Sequence, residues 1–466
     1  MTSKRDVASC HAMALRSSKS PKTTVWHLLP TEIRLLILEA IAQQKNPGWA
    51  SFASVSREWQ RAIATKNLGH LRLTEVDVGQ LRDQIVLQRA LVRRISLDIQ
   101  LPRFSCQDSF FTSRHDAHPG ALDPGKAPPD WHDEKHGWVD GKQVMAPPRA
   151  ALRRLFEDIK LSGFTNGLPQ VEAVTGLVIR RQLRRRIFPS LISLLMLSLT
   201  RLENLVYEPW RLLERDWRVV YDRHFQTIIQ NNIPSTVRRV ILFEDFNDTL
   251  AEAAAREATL PFNLRLNASR IVDAGLGMRF AFRSFRFEEL SVSFMANAED
   301  FFVGCKVSPG TWTRLRTLAL TSQRLKLSGS GRKIDDLLLD AGETALRMPE
   351  LRTMVLWNGG EGHACAFIYL KSREGATITW RGTWYTGLSP HVVDVWQRVA
   401  SSHGARAFFV AKEVLRKCEI ASHGDAIHHL DLPCQVVSPE SLWQIRREFA
   451  LQATRCAWED PEEEEE

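Results

Sequence analysis

The sequence predicts an α/β protein with a helical N-terminal segment, a central series of strand–helix units and a smaller α+β region near its C-terminal end. Three observations support this fold class. A period near 3.6 residues dominates residues 28–63, a short strand pattern recurs between residues 92 and 356, and strand patterns of different spacing follow. The chain has 466 residues, of which 44% are hydrophobic and 25% charged, as expected for two or three folded domains.

Residues 28–63 predict two amphipathic helices joined by a turn. Pro30 suits the first turn of the first helix, where its missing N–H is not needed. Apolar residues recur at helical spacing behind it, at Ile33, Leu36, Ile37, Leu38 and Ile41. Asn46-Pro47-Gly48 ends this helix. The apolar stripe then returns on a second helix, at Phe52, Val55, Trp59 and Ile63.

The order of these residues resembles the F-box, the short helical module that docks on the Skp adaptor of cullin-RING ubiquitin ligases. The resemblance is carried by Leu29-Pro30-Thr31-Glu32-Ile33, by the spacing of Ile37, and by Val55-Ser56-Arg57-Glu58-Trp59 about twenty residues on. It implies an adaptor-binding surface formed by Leu29, Pro30, Ile33, Ile37, Val55 and Trp59. A plain helical hairpin without a partner is the alternative interpretation of this pattern.

Beyond residue 90, the pattern apolar-x-x-apolar-x-apolar recurs. It occurs at residues 92–97, 174–179, 202–207, 237–242, 287–292, 315–320 and 351–356. The alternation at the end of each occurrence predicts a short strand with one buried face. Helical patterns at 181–197, 216–231 and 334–347 lie between several of them. The series resembles a degenerate leucine-rich repeat array, in which units bury their apolar faces by stacking. A generic α/β sheet is the alternative.

Charged positions inside the strand patterns are candidates for substrate binding. In a curved strand–helix array the strands line a concave face suited to proteins. The candidates are Arg93, Arg239, Glu289, Arg316 and Arg352. Their excess of arginine favours an acidic or phosphorylated partner, because a guanidinium pairs well with carboxylate and phosphate. The alternative is that they form the solvated side of amphipathic strands.

The domain plan follows from these patterns. We expect a disordered tail over 1–24, the F-box over 25–65, a linker and first repeat-like strand over 66–102, a disordered insertion over 103–150, the repeat-like substrate-binding region over 151–359, an α+β cap over 360–458 and an acidic tail over 459–466. The insertion is rich in Pro, Gly, His and Asp without periodicity. The cap is predicted from a β-hairpin at 366–370 and 377–380 and helices at 392–400 and 442–453.

The formal net charge of +8 combines a basic body with an acidic C-terminal end. We interpret the cluster Arg180, Arg181, Arg184, Arg185 and Arg186 as a solvated helix face, and Glu244, Asp245 and Asp248 as solvated surface. A basic body can indicate affinity for nucleic acid. The arginines are spread along the chain, so nucleic acid is not a predicted partner, although a basic nucleic-acid-binding protein with a structural hairpin stays an alternative.

The sequence contains no recognisable motif for catalysis, metal binding or membrane insertion. The seven cysteines are dispersed without a C-x-x-C pair, which favours reduced thiols in the cytoplasm or nucleus. His132 and His136 are four residues apart, but the flanking Pro and Gly leave little helix to align them on a metal. Nucleophile-elbow and P-loop spacings are missing. We therefore predict no cofactor, no metal, no membrane span and no catalytic residues in this chain.

The resemblance to fungal-type F-box proteins implies a non-catalytic substrate-recognition subunit of a Skp–cullin–F-box ubiquitin ligase. Its implied partners are a Skp-type adaptor, a cullin reached through that adaptor, and an unknown protein substrate bound by the C-terminal region. An F-box scaffold or regulatory protein outside an active ligase is the other class that the sequence leaves open.

Overall fold

The computed structural model divides the chain into two compact units, residues 1–99 and 100–466. It describes residues 26–44, 48–74, 77, 91–98, 138–139, 142–143, 168–212, 215–247, 272–385 and 387–459. The predicted tail at 1–24 and the acidic residues from 460 on lie outside these ranges. So does the predicted insertion at 103–150, apart from two short strands.

The first unit contains the two predicted helices, α1 (Thr31–Gln44) and α2 (Arg57–Gly69), which contact each other. Between them, Gly48 takes a left-handed φ of 80° and a 3₁₀ turn covers Trp49–Ser54. Ser56 caps α2, because its hydroxyl accepts the backbone N–H of Trp59 at 3.4 Å. These local choices confirm two helices joined by a turn, but Phe52 and Val55, which were predicted on the second helix, lie before it, in the 3₁₀ turn and at its C-terminal end.

A parallel pair of strands completes the first unit, β1 (His70–Thr74) and β2 (Arg94–Asp98). The strand predicted at 92–97 therefore forms, but it pairs with β1 in the first unit and lies outside the main sheet. In the second unit, the two-residue strands β3 (Trp138–Val139) and β4 (Lys142–Gln143) pair antiparallel.

The second unit is built on a nine-stranded, mostly parallel sheet whose strands follow sequence order. Its strands are β5 (Gly176–Ile179), β6 (Asn204–Tyr207), β7 (Arg239–Phe243), β8 (Glu289–Ser293), β9 (Thr317–Thr321), β10 (Thr353–Gly360), β11 (His363–Lys371), β12 (Ala376–Gly382) and β13 (Phe408–Val414). Strands β5 to β10 run parallel, β11 pairs antiparallel with β10 and β12, and β13 is parallel to β12. This arrangement confirms six of the predicted strands and the predicted hairpin.

Helices connect the parallel strands. They are α3 (Pro189–Ser198), α4 (Arg215–Thr227), α5 (Ala274–Arg283), α6 (Ala298–Val307), α7 (Gly331–Ala345) and α8 (Pro390–Ser402). Because each new strand is added at the same edge, right-handed crossovers place these helices on one face of the sheet. Their buried side chains, such as Phe280, Phe302 and Leu338, join one core with the sheet residues Leu290 and Leu320.

The opposite face of the sheet is covered by the C-terminal part of the chain. Helix α9 (His423–Leu430) contacts β10, β11 and α10 (Pro439–Glu459). Ile427, Leu430 and Ile445 pack in a second core with the sheet residues Ala319 and Val355. Central strands are consequently buried on both sides, as in the unbroken apolar run of β7. The strands of the predicted cap thus extend the same sheet. Of its two predicted helices, one is α8, which packs in the first core, and the other is α10, which together with α9 covers the face that we expected to be open for a substrate.

Candidate functional site

The first unit leaves many of its apolar side chains exposed. Leu38 and Ile63 are buried between its helices, with exposed fractions of 4% and 3%. Six other large apolar side chains of the helical pair and the turns beside it are exposed, namely Leu28, Ile33, Leu35, Leu36, Phe52 and Val55, and so are Ile95 and Leu97 on β2. We call the first six without Leu35, which lies on the other side of α1, the N-terminal apolar set. A small unit that exposes so many large apolar groups has the character of a protein-docking surface.

The residues predicted to bind an adaptor divide into two groups. Pro30, Ile33 and Val55 are exposed, whereas Leu29, Ile37 and Trp59 are half-buried. Ile33 and Ile37 are one helical turn apart and share a side of α1. The same side includes Leu36, which the adaptor prediction omitted, and the opposite side carries Leu35.

Trp59 has a structural role inside the first unit. Its ring lies 5.3 Å from that of Trp26 and 5.9 Å from that of Phe52, centroid to centroid. The indole N–H of Trp26 donates to Glu58 at 2.8 Å, and Arg34 pairs with the other oxygen of Glu58 at 3.2 Å. These contacts fix Trp26, the 3₁₀ turn and α1 against α2, so Trp59 supports the apolar set from inside the unit.

The predicted substrate-binding arginines do not share one face. Arg93 precedes β2 in the first unit. In the second unit Arg316 and Arg352 are neighbours at the amino ends of β9 and β10, with the N–H of Arg352 donating to the carbonyl of Arg316 at 2.8 Å. Arg239 is in register with Glu289 and Thr317, one residue further along, so its side chain belongs to the other side of the sheet.

Two of these arginines already pair with acids of the chain. Arg239 lies 2.6 Å from Glu289, and Arg316 lies 3.5 Å from Glu288. Both arginines are about half exposed, at 50% and 51% of the side-chain area, so these pairs are worth little stability. Substrate binding by Arg93, Arg239, Arg316 and Arg352 stays a prediction.

A buried charged network at the carboxyl ends of β5, β6 and β7 was not predicted. Arg181 and Asp245 are 3% and 0% exposed and form an ion pair, and His423 Nε2 lies 2.9 Å from the other oxygen of Asp245. Burial by itself would raise the pKa of Asp245, but the charge of Arg181 and the hydrogen bond from His423 outweigh it and lower the pKa to about 2. The interpretation of Arg181 and Asp245 as solvated was wrong.

The same network holds α10 against the sheet. Arg181 donates to both oxygens of Glu448, at 2.7 and 3.2 Å, and Arg184 donates to Glu448 at 3.2 Å. Glu208, which is fully buried, accepts the backbone N–H of Ser438 at 2.7 Å and the hydroxyl of Ser441. Charged residues thus fix the C-terminal helices over the sheet.

A second charged cluster surrounds Glu244, the neighbour of Asp245. Arg211 donates to Glu244 at 3.1 Å, and Arg186 lies 3.7 Å from the other carboxylate oxygen. Glu244 is 7% exposed, so its interpretation as solvated surface was also wrong; Asp248 lies outside the described residues. Burial and the charge of Glu244 raise the pKa of the nearby Asp222 to about 7.

One signal in the sequence could have revealed both clusters. The predicted strands ending at residues 179, 207 and 242 are followed within three residues by Arg181, Glu208, Glu244 and Asp245. The carboxyl ends of parallel strands meet at one edge of a sheet, where α/β proteins place their binding residues. Helix periodicity hid this signal because it assigned residues from 181 on to a helix, whereas α3 begins only at Pro189.

Within the residues that the structure describes, no group of three or more His, Cys, Asp or Glu side chains is arranged to hold a metal ion. The pair His132 and His136 lies outside those residues. In the same described part of the chain, no helix is both long and apolar enough to cross a membrane.

Comparison with known proteins gives one match. The profile of a family of unknown function (DUF6546) matches residues 232–438, less than half of the chain. The similarity covers β7 to β13 and α9, and therefore includes Asp245 and His423 but not the first unit. No curated protein and no solved structure matches the sequence.

Proposed function

We propose that this chain is the substrate-recognition subunit of a Skp–cullin–F-box ubiquitin ligase, with an F-box at residues 25–65. The observation that carries the proposal is the N-terminal apolar set on a helical pair that has the F-box residue order. Ile33 and Val55, two positions that the F-box resemblance assigns to the adaptor, are 42% and 61% exposed. Their burial against a partner would stabilise the complex by about 1.5–3 kcal/mol for each fully buried side chain.

The second unit is the proposed substrate-binding region, with an arrangement like that of a leucine-rich repeat array. Two features support the likeness: the parallel strands follow one another in sequence order, and a helix lies in each crossover between β5 and β10. The C-terminal helices cover the central strands, so the substrate surface is sought at the exposed amino ends of the strands. Arg316 and Arg352 are neighbours there.

The mechanism is one of proximity. A substrate held by the second unit and an adaptor held by the first unit bring the substrate close to a charged ubiquitin-conjugating enzyme, which raises the effective concentration of the reacting groups. The bond-forming residues belong to other subunits, and this chain acts as a non-catalytic adaptor.

Co-purification of the full-length chain with a Skp-type adaptor tests the proposal. Leu29→Ala combined with Pro30→Ala should reduce the recovered adaptor, because both residues lie at the start of the F-box pattern. Leu35→Ala is the matched control, since Leu35 is exposed on the other side of α1. Unchanged recovery of the adaptor with the double variant, at an unchanged circular-dichroism spectrum, would contradict the assignment. Adaptor binding without ubiquitin transfer to any captured protein would indicate a scaffold outside an active ligase.

A charge reversal tests the substrate surface separately. Arg316→Glu combined with Arg352→Glu should abolish substrate capture and leave adaptor binding intact, because the two residues lie in the second unit. The control is Arg398→Glu, which reverses an exposed arginine on α8. An unchanged set of captured proteins in the double variant would show that this surface does not select the substrate.

A further inference from the structure

Three arginine side chains converge beside the carboxyl ends of β6 and β7. Arg211 contacts Glu244 directly, and Arg186 lies 3.7 Å from the same carboxylate. Arg218, on α4, interacts electrostatically with both arginines and with Glu244. Two guanidinium groups thus lie within 4 Å of one carboxylate, and the third, whose Nη2 donates to the carbonyl of Leu212 at 3.0 Å, acts on the same carboxylate through its charge. They are brought together although like charges repel each other at short range.

Among the residues that the structure describes, several N–H groups of these arginines have no acceptor. Arg186 is 4% exposed, and its Nε and Nη1 atoms form no hydrogen bond. Arg211 is 8% exposed with Nη2 unpaired, and the half-buried Arg218 has Nε unpaired. A buried charged donor without an acceptor lowers the stability of the folded state, and native proteins rarely leave such groups without a hydrogen-bond partner.

Aromatic side chains account for part of the environment. Arg186 forms a side-chain hydrogen bond with Tyr207, and its Nε and Nη1 atoms remain without an acceptor among the described residues. The Arg186 guanidinium carbon lies 4.8 Å from the centre of the Tyr221 ring, and that of Arg211 lies 4.8 Å from the centre of the Phe246 ring. These contacts orient the planar groups and leave their N–H edges available.

The net positive charge of these arginines also favours the binding of an anion. Three arginines face Glu244 and Asp222, and burial together with Glu244 raises the pKa of Asp222 to about 7. Asp222 is therefore partly protonated at neutral pH and neutralises less than one full charge. The cluster keeps a net charge of more than +1 in a mostly buried place.

We propose that Arg186, Arg211 and Arg218 form a binding site for a phosphate group, either inorganic phosphate or a phosphate monoester. The guanidinium fork matches phosphate oxygens, and a tetrahedral anion offers enough acceptors for N–H groups that come from three directions. The carboxyl ends of parallel strands are the usual place for such a ligand in an α/β sheet. Arg218 is the least buried of the three and marks the side of entry. The inference is independent of adaptor binding by the first unit.

Calorimetric titration of the full-length chain with inorganic phosphate tests the proposal, with sodium chloride at matched ionic strength as the reference. The wild-type chain should bind phosphate saturably at one site and should melt at a higher temperature in its presence. Phosphoserine, titrated in parallel, distinguishes the source: binding of both shows a site open to monoesters, and binding of inorganic phosphate alone shows a site for the free ion. Absence of saturable binding of either probe to the wild-type chain overturns the proposal.

Single variants locate the site. Arg211→Gln and Arg218→Gln should each weaken phosphate binding about 10- to 100-fold, the usual effect of losing a hydrogen bond from a charged group. Arg398→Gln makes the same change at an exposed arginine and should leave the affinity unchanged. Arg218 is half-buried, so its variant keeps the test valid if Arg211→Gln fails to fold. Undiminished binding by a folded Arg218→Gln variant would place the phosphate elsewhere and overturn the proposal.

Discussion

The two units bury their apolar residues to very different extents. In the second unit, strand β7 is buried from Val240 to Phe243, with helices on one face of the sheet and the C-terminal segment on the other. In the first unit, α1 is 14 residues long and Leu38 is its only buried side chain among those described. The second unit buries most of its large apolar side chains in two cores, whereas the helical pair of the first unit leaves six of its own exposed, where a partner can bury them. Apolar residues therefore have different roles in the two units. In the second unit they stabilise the fold, and in the first unit several are exposed and available to a partner.

The largest effect is expected from breaking the buried ion pair beneath α10. Arg181→Ala leaves Asp245 buried with His423 as its remaining side-chain partner, so the free energy of unfolding should fall by about 3–5 kcal/mol. The control is Arg398→Ala, which breaks an exposed pair worth about 0–1 kcal/mol. Urea denaturation of both variants measures the difference. A similar small loss in both would mean that Arg181 is accessible to water.

A pair of leucine truncations compares the two units directly. Leu430→Ala removes a fully buried side chain between α9 and the sheet and should lower the free energy of unfolding by about 2–5 kcal/mol. Leu36→Ala removes one that is 60% exposed on α1 and should change the free energy by less than about 0.5 kcal/mol. Thermal unfolding checks both variants. A large loss for Leu36→Ala would show that α1 is packed and unavailable for docking.

A smaller effect should appear in the pH dependence of stability. The folded pKa of Asp222, about 7, lies above its ordinary value of 3.8, so the folded state holds a proton that the unfolded chain releases. Between about pH 4 and 7 this group therefore lowers stability as the pH rises. Asp222→Asn removes the titration, and its stability relative to wild type should increase across that window. Denaturation at pH 5 and pH 7.5, in buffer without phosphate, measures the change.

The control for this prediction is Asp340→Asn, a partly exposed carboxylate on α7 that pairs with Lys306. Asp245 does not interfere with this measurement. Its contribution to the free energy of unfolding is complete above about pH 3.8, the ordinary pKa of the group, and is lost only as the pH falls towards 2. A constant difference between Asp222→Asn and wild type at both pH values would mean that Asp222 is ionised in the folded protein.

Periodicity in the sequence was sufficient to predict the repeated strands, because alternating apolar residues such as Val240 and Leu242 pack against a core on one side of the sheet. It was insufficient to predict the second core on the other side. Ile241 and Phe243 complete the run, and their burial depends on α9, which lies far along the chain. Helices α5 and α6 were also not predicted, because the chain was divided at the strand pattern and no helix was assigned between the strands there.

The charged sites show the limit of local patterns most clearly. Arg181 and Glu448 are 267 residues apart, and only the return of α10 over the sheet brings them together. A cluster of arginines, considered without the rest of the chain, predicts side chains exposed to solvent. A buried charge needs partners, and the local sequence does not contain them. The residues of the proposed adaptor surface were easier to place, since all of them lie in one stretch of 31 residues that forms a helical pair, from Leu29 to Trp59.

The affinity of the full-length chain for a Skp-type adaptor tests the central claim, that the N-terminal apolar set is a docking surface. Ile33→Ala combined with Val55→Ala should weaken binding at least about 10-fold and leave stability unchanged, since both side chains are exposed. Leu35→Ala combined with Leu327→Ala truncates two equally exposed apolar side chains outside the proposed surface and should bind like wild type. Equal affinity of both double variants, or no binding by the wild-type chain, would contradict the account.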